Sequence, residues 1–256
     1  MYYKKVLHSL FLFLTVLFIS CSDTAKITKV ESSMIVFSAE TTPEIDAATV
    51  ELIKPYKMKL EADMSAVLAL NEAAMFKSNP EGALGNFVAD LTLKKTNDYC
   101  KESGIKPANL CLLNNGGLRT SLPEGEITKR RVFELMPFEN ELVILTLSGA
   151  KTQQLFNYLG RINGMPLSGA TMSINNKKPG DVMIGGVAMD TTKQYRVVTS
   201  DYLAYGGDKM RFFKNPVNFE LVHHKLRDAI IEFIIEEHAA GRKLSAKKDG
   251  RIKVVE

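Results

Sequence analysis

The chain contains no tryptophan, only three cysteines and only four histidines among its 256 residues. So few cysteines exclude a small fold held together by disulfide bonds. The charge is nearly balanced, with 33 basic against 29 acidic side chains, so we expect no binding to nucleic acid through bulk charge. With 45% hydrophobic and 24% charged residues, the composition is that of a globular protein and not of a disordered chain.

The scarcity of histidine bears on catalysis. Beyond position 20 the chain has only His223, His224 and His238, and no Asp-x-His or His-x-His cluster. A dinuclear phosphoesterase centre needs roughly six or seven His, Asp and Asn ligands. The sequence also has no Gly-x-Ser-x-Gly elbow and no Gly-x-x-x-x-Gly-Lys phosphate loop. We therefore predict no cofactor and no complete catalytic centre in this chain.

The N-terminus is typical of an export signal. Two lysines precede an apolar run over residues 10–19, which is too short to cross a bilayer as a helix. The run ends in Phe-Ile-Ser-Cys, which resembles the lipobox of bacterial lipoproteins. We expect residues 1–20 to be removed and Cys21 to be lipidated, although a plain secretory signal with an incidental cysteine, or an uncleaved anchor, are alternatives. The predicted location is the cell envelope, lipid-anchored to the inner or outer membrane of a Gram-negative bacterium and facing the periplasm.

The rest of the chain is predicted to have two parts. Residues 21–53 comprise the lipidated cysteine, a tether and a strand over residues 30–39, and residues 54–256 form one domain. Between residues 45 and 75 helical periodicity with a break at Pro55 predicts a helix or a helix pair.

Beyond residue 80, predicted strands and helices alternate, which indicates a layered α/β domain with helices packed on mixed β-sheets. The clearest helix spans 81–103, because apolar residues from Leu84 to Leu93 recur at helical spacing and Gly104 can end it. The other predicted helices are 129–135 with Thr128 as N-cap, 149–159 with Ser148 as N-cap, and 226–238; the predicted strands are 110–113, 141–147, 171–174, 182–187, 195–200 and 252–255.

Cys100 and Cys111 both lie in apolar segments. They could form a disulfide in an oxidising envelope, but two buried thiols are the favoured interpretation, because free cysteine packs as a small apolar residue.

Three loop segments combine the side chains that hold a nucleoside. They are Asn-Asn-Gly-Gly-Leu-Arg at 114–119, Met-Pro-Phe-Glu-Asn at 136–140 and Asp-Tyr-Leu-Ala-Tyr-Gly-Gly-Asp at 201–208. Aromatic rings can stack on a base, an amide can read its edge, a carboxylate can accept from ribose hydroxyls and a guanidinium suits phosphate. Each segment alone is better explained as a turn with a buried ring, so their joint occurrence is what indicates a site.

In order and spacing these segments resemble the C-terminal, nucleotide-binding domain of the 5′-nucleotidase and UDP-sugar hydrolase family. The resemblance covers about residues 54 to 252 and includes Glu-Gly-Ala-Leu-Gly-Asn at 81–86, Leu-Ser-Gly at 147–149 and 167–169, and Asp-Gly-Arg-Ile at 249–252. In that family this domain holds the nucleoside, while a separate N-terminal domain carries two metal ions and cleaves the phosphate ester.

The resemblance implies how the base is held. Phe138 and Tyr202 would sandwich it, with Tyr202 standing where the family usually has phenylalanine, and Asn114 would contact its edge.

The resemblance also implies the contacts to the rest of the nucleotide. Asp208 would accept from the ribose hydroxyls, Arg119 would bind the phosphate and Gly169 would lie near the pocket. An arginine that the family usually has before the 81–86 element is missing, and Lys77 stands in that stretch as a point charge without the bidentate fork.

Because the resemblance covers only the binding domain, the leading hypothesis is half of a split 5′-nucleotidase that is inactive alone. A nucleotide would be held here, and divalent metals would be expected only in a separate metallophosphatase chain. A stand-alone nucleoside- or nucleotide-binding lipoprotein without catalysis is the alternative, and a relic without ligand is a third possibility.

Overall fold

The computed structural model describes residues 3, 27, 29–34 and 46–255. The chain divides into two units, residues 1–51 and residues 52–256. The predicted signal, apart from residue 3, and Cys21 lie outside the described residues. Of the strand predicted over residues 30–39, only 30–34 are described, and these are not in a strand, so that part of the prediction is wrong. None of the helices in the described ranges is long and apolar enough to cross a membrane.

The helices are α1 Ala47–Met64, α2 Ala83–Glu102, α3 Lys129–Leu135, α4 Gly149–Ile162, α5 Asp201–Ala204 and α6 Leu226–Ala239. The strands are β1 Val67–Asn71, β2 Leu110–Leu112, β3 Gly125–Thr128, β4 Glu141–Ser148, β5 Leu167–Ser168, β6 Ala170–Asn175, β7 Lys178–Ile184, β8 Val187–Ala188, β9 Gln194–Ser200, β10 Asn218–Lys225 and β11 Ile252–Val254.

Helix α1 corrects two predictions. It continues through Pro55 without ending, because a proline inside a helix removes one backbone hydrogen bond and can be accommodated where neighbouring residues keep helical geometry. It then ends at Met64, and the following residues form β1, which pairs antiparallel with β3. None of the residues of α1 is buried.

The central element is a five-stranded mixed sheet in the order β10-β4-β9-β2-β5. Strands β4 and β9 are antiparallel, with Leu142 opposite Ser200. Strands β2 and β9 are parallel, with Cys111 beside Val198. The start of β4 and the ends of β2 and β9 therefore lie at one end of this sheet. This end carries the loops that matter below.

The two faces of the sheet bury separate hydrophobic clusters. In β4, Leu142 and Ile144 point into a cluster with α2 and α6, whereas Val143 and Leu145 point into a cluster with α4. Side chains alternate between the faces of a strand, so a strand buried on both faces is apolar at every position. The predicted layered α/β fold, with helices packed on mixed sheets, is confirmed.

Local signals placed several elements correctly. Thr128 caps α3, because its Oγ1 accepts from the Arg131 amide at 3.3 Å, and Ser148 caps α4 in the same way at 3.4 Å from the Lys151 amide. Gly104, just beyond the end of α2, has the left-handed φ of 67° that glycine adopts readily.

The segment predicted as a strand over 182–187 is instead a tight hairpin between β7 and β8. Gly185 and Gly186 both have positive φ, 58° and 79°, and Ile184 pairs with Val187. Two glycines with positive φ form the turn that suits the twist of a two-residue hairpin. Strands β1, β3, β5 and β10 were not predicted.

Cys100 and Cys111 are both free and buried. Burial raises the pKa of each thiol, so both are structural and inert.

Candidate functional site

The sheet topology brings the three predicted loop segments to one end of the fold. Residues 114–119 follow β2, residues 136–140 precede β4, and residues 201–208 follow β9. The pairing registers place the end of β2, the start of β4 and the end of β9 side by side. Segments that are far apart in the sequence are therefore neighbours in space.

Asp208 is the point at which two of these segments meet. One carboxylate oxygen, Oδ2, accepts a hydrogen bond from Asn114 Nδ2 at 2.6 Å. The other, Oδ1, accepts from the Tyr202 hydroxyl at 2.9 Å. Three of the predicted site residues thus contact one another through a single carboxylate.

The backbone of Asp208 is held in an uncommon conformation. Its φ is 49°, in the left-handed region that few side chains adopt. The hydroxyl of Tyr158, a buried residue of α4, donates to the Asp208 carbonyl at 2.7 Å. The preceding Gly207 cannot carry a side chain, because a Cβ there would lie 2.5 Å from the Tyr202 ring. These contacts fix where the Asp208 carboxylate points.

The two predicted stacking rings are half-exposed. Phe138 is 42% and Tyr202 48% exposed, whereas most large apolar side chains of the sheet are buried. Asn140 Nδ2 donates to Asp201 Oδ1 at 2.9 Å, and the same oxygen accepts from the Tyr202 amide at 2.7 Å. The segment that carries Phe138 is therefore joined directly to the segment that carries Tyr202.

The protonation of the hydroxyl groups around Asp208 follows from their contacts. The hydrogen bond to Asp208 raises the pKa of Tyr202. Burial, and then the charge of Asp208, raise the pKa of Tyr158. Both hydroxyls are therefore donors at neutral pH, and each Asp208 oxygen retains a lone pair for a further donor.

Arg119 lies on the same turn as Asn114 but does not contact Asp208. Its side-chain Nη1 donates to the Gly116 carbonyl at 3.2 Å. Lys77 reaches the same turn from another part of the chain, since its Nζ donates to the Leu118 carbonyl at 2.9 Å. Two cations therefore lie beside the proposed nucleoside contacts.

Gly169 is not brought together with the other five predicted site residues. It has φ 75°, and a Cβ there would lie 2.3 Å from the Asn109 carbonyl oxygen. Asn109 precedes β2, whereas Asn114 follows it, so Gly169 lies at the other end of that strand. Close backbone approach and positive φ explain the glycine without a ligand.

Two residues around the site were missed by sequence reasoning. Tyr158 lies at core-facing spacing in the helix predicted over 149–159, and that spacing gives no sign of the hydrogen bond that its hydroxyl makes. Arg227, in the first turn of α6, was not singled out; its side chain is buried against the segment that carries Phe138. No local pattern distinguishes such residues from ordinary core and surface positions.

The distribution of potential metal ligands also bears on the site. Within the part of the chain that the structure describes, no group of three or more His, Cys, Asp or Glu side chains could hold a metal ion. His224 contacts Glu232 at 3.2 Å and forms an ion pair with it when protonated.

Comparison with known proteins defines the class. A family model described as "5′-nucleotidase, C-terminal domain" matches residues 64–215. The chain therefore belongs to the 5′-nucleotidase C-terminal domain family.

Two curated relatives illustrate the similarity. The trifunctional nucleotide phosphoesterase YfkN of Bacillus subtilis is 32% identical over an alignment of 192 positions, which covers 68% of this chain and 12% of that protein. The 5′-nucleotidase of Vibrio vulnificus is 25% identical over an alignment of 176 positions, which covers 64% of this chain and 30% of that protein. The chain spans less than a third of the length of either relative.

Solved structures show the same fold. The 5′-nucleotidase precursor of Thermus thermophilus superposes with a TM-score of 0.68 at 24% identity, covering 80% of this chain and 42% of that one. A putative 5′-nucleotidase of Staphylococcus aureus gives a TM-score of 0.62 at 17% identity, covering 86% of this chain and 45% of that one.

Proposed function

We propose that this chain is the nucleotide-binding half of a split periplasmic 5′-nucleotidase. It would hold a nucleotide for phosphoester hydrolysis by a separate chain that carries a dinuclear metal centre. The observation that carries this proposal is the convergence of Asn114 and Tyr202 on Asp208, in a segment that is hydrogen-bonded to the one carrying the half-exposed Phe138.

The base would lie between the rings of Phe138 and Tyr202. Stacking suits this position because each ring has exposed surface and because every base has a π-face. The contact with Asp208 uses one of the two amide hydrogens of Asn114. Its other hydrogen and its carbonyl oxygen would pair with the edge of the base.

The ribose would be held by Asp208. Sugar hydroxyls would donate to the carboxylate lone pairs that Asn114 and Tyr202 leave available. Hydrogen bonds to an ionised acceptor are stronger than neutral ones, so this contact would be a main source of affinity.

Arg119 would bind the phosphate. Its guanidinium would exchange the Gly116 carbonyl for phosphate oxygens, which offer a stronger, charge-assisted and bidentate partner. Lys77 would add a second positive charge at the same turn.

Hydrolysis would come from the partner chain. The support for this step is that the family match is to a C-terminal domain and that the described residues offer no metal-holding cluster. We further propose that the predicted lipid on Cys21 keeps this chain in the cell envelope, where the partner would meet it.

The experiment measures phosphate release from AMP with Mn²⁺, first by the purified full chain and then by the material that it retains from native envelopes. We expect no release by the chain alone and release by the retained complex. Replacing Asp208 by Ala should strongly reduce the second signal at subsaturating AMP without preventing retention.

Two outcomes would change the proposal. Turnover by the purified chain alone would contradict a separate catalytic chain. Nucleoside binding without partner-dependent hydrolysis would favour the alternative, a stand-alone nucleoside- or nucleotide-binding lipoprotein without catalysis.

A further inference from the structure

The side chain of Arg227 reaches from α6 to the backbone that carries Phe138. It is only 6% exposed. Nη1 lies 3.4 Å from the Met136 carbonyl and 3.4 Å from the Phe138 carbonyl. One guanidinium therefore contacts the carbonyls of the two residues that flank Pro137.

The charge of Arg227 is compensated within the same segment. Its Nη2 pairs with Glu139, whose other oxygen accepts from Lys225 at 2.5 Å. The guanidinium also lies 4.2 Å from the centre of the Phe133 ring, a cation–π contact. The ring, the carboxylate and the two carbonyls thus contact the guanidinium from different directions, while its buried Nε makes no hydrogen bond to any other described residue.

Phe138 needs such support because its segment is not part of any strand or helix. The position of its half-exposed ring therefore depends on how its own peptide is held. The amide of Leu226 adds a hydrogen bond to the Asn140 carbonyl at 2.9 Å. From Asn140 the side-chain contact with Asp201 continues to the Tyr202 segment.

We propose that Arg227 is a positioning residue that sets the Phe138 ring, and through Asn140 and Asp201 the gap between the two rings that receive a base. This inference rests on the proposed function. It requires the planar fork of arginine, since the single ammonium of lysine cannot reach two carbonyls and a carboxylate in these directions.

The first test needs no ligand. The chain has no tryptophan, so Phe138→Trp places the only tryptophan at the proposed ring position, where it can be excited at wavelengths that the tyrosines do not absorb. Adding Arg227→Met should lower its anisotropy and increase its quenching by acrylamide, because the segment loses its anchor.

The matched control is Arg242→Met, which removes another arginine near the same helix. Arg242 makes a two-point contact with Glu237 at 2.7 Å and 2.7 Å, and its contacts lie at the other end of α6. This variant should leave the fluorescence unchanged. Unchanged anisotropy and quenching in folded Arg227→Met would overturn the proposal.

The second test is a double-mutant cycle on adenosine binding. Arg227→Met should weaken binding roughly tenfold, and the double variant with Phe138→Ala should bind no worse than Phe138→Ala alone, because contacting residues are non-additive. Additive losses would contradict action through Phe138.

Melting curves separate folding from positioning. If Arg227→Met does not fold, Arg227→Lys replaces it, because lysine keeps the positive charge but lacks the planar guanidinium. The losses of adenosine binding caused by Arg227→Lys and Phe138→Ala should again be non-additive. If the wild-type chain binds no adenosine, the proposed function fails, while the tryptophan reporter still decides whether Arg227 positions residue 138.

Discussion

The two sides of the candidate site, the proposed nucleoside side at Asp208 and the proposed phosphate side at Arg119 and Lys77, are built differently. On the nucleoside side, side chains bind one another, with Asp208 joined to Asn114 at 2.6 Å and to Tyr202 at 2.9 Å. On the phosphate side, Arg119 and Lys77 donate to backbone carbonyls, at 3.2 Å and 2.9 Å. The first set is pre-organised, whereas the second would have to change partners to bind phosphate as proposed.

This difference predicts where affinity arises. Pre-organised groups lose little conformational freedom on binding. An arginine that must be ordered contributes less binding free energy, because fixing its side chain costs conformational entropy. We therefore expect most of the binding free energy from base and ribose, and a smaller increment from the phosphate. A weakly held phosphate would also suit the proposed presentation of the nucleotide to a separate catalytic chain.

The largest loss should follow Asp208→Ala, which removes the centre of the nucleoside side. We expect adenosine and AMP to lose a similar amount, on the order of 2–3 kcal/mol, since hydrogen bonds to a charged group contribute roughly 1.5–3 kcal/mol. Calorimetric titration measures both. An affinity within about twofold of wild type in a folded variant would show that Asp208 does not bind the ribose.

Phe138→Ala should weaken nucleoside binding by about 1–3 kcal/mol, the stacking contribution of one base. The matched control is Tyr205→Ala, because Tyr205 is an exposed ring of the 201–208 segment that stacks on Phe219 and has no proposed contact with the base. Titration of both variants, with melting temperatures, separates stacking from general loss of aromatic surface. Equal effects of the two substitutions would argue against the sandwich.

Arg119→Ala sharpens the comparison between the two sides. AMP should lose about 1 kcal/mol, as expected for a solvent-accessible charged contact, and adenosine should be unaffected. The ratio of the two dissociation constants reports the phosphate contact directly. Equal losses for both ligands would refute a phosphate role for Arg119.

The smallest expected effect concerns Glu139. Hydrogen bonds from Lys225 and Arg227 lower its pKa from 4.5 to about 2. Because the pKa of Glu139 is lower in the folded than in the unfolded state, its ionised form stabilises the fold at pH values above the unfolded-state pKa. This contribution is lost as the pH falls toward about 2. Glu139→Gln should therefore melt slightly below wild type at neutral pH, and the two curves should converge as the pH approaches the folded-state pKa. A constant difference across that range would show that ionisation of Glu139 is not involved.

Local sequence signals predicted much of the fold. The apolar stripe of α2 and the caps at Thr128 and Ser148 depend on neighbouring residues, which is why their positions followed from pattern alone. The break predicted at Pro55 is wrong because proline only disfavours a helix interior, and the surrounding residues can keep the helix continuous. The hairpin at Gly185 was interpreted as one strand because both of its arms are apolar.

The site required tertiary information. Each loop segment was recognisable, but only strand pairing shows that Asn114 and Asp208 meet, since 94 positions separate them. Strand pairing also decides the position of Gly169. The family motif predicts it near the pocket, but the register of β2 and β5 places it at the other end of β2 from Asn114. Tyr158 and Arg227 act through a hydroxyl and a guanidinium whose partners no local pattern reveals.

The most direct test of the account is calorimetric titration of the purified full chain with adenosine and then with AMP. The account predicts that adenosine binds, that AMP binds only modestly more tightly, and that Asp208→Ala weakens both. Absence of adenosine binding by the folded chain, or binding that Asp208→Ala leaves unchanged, would contradict it.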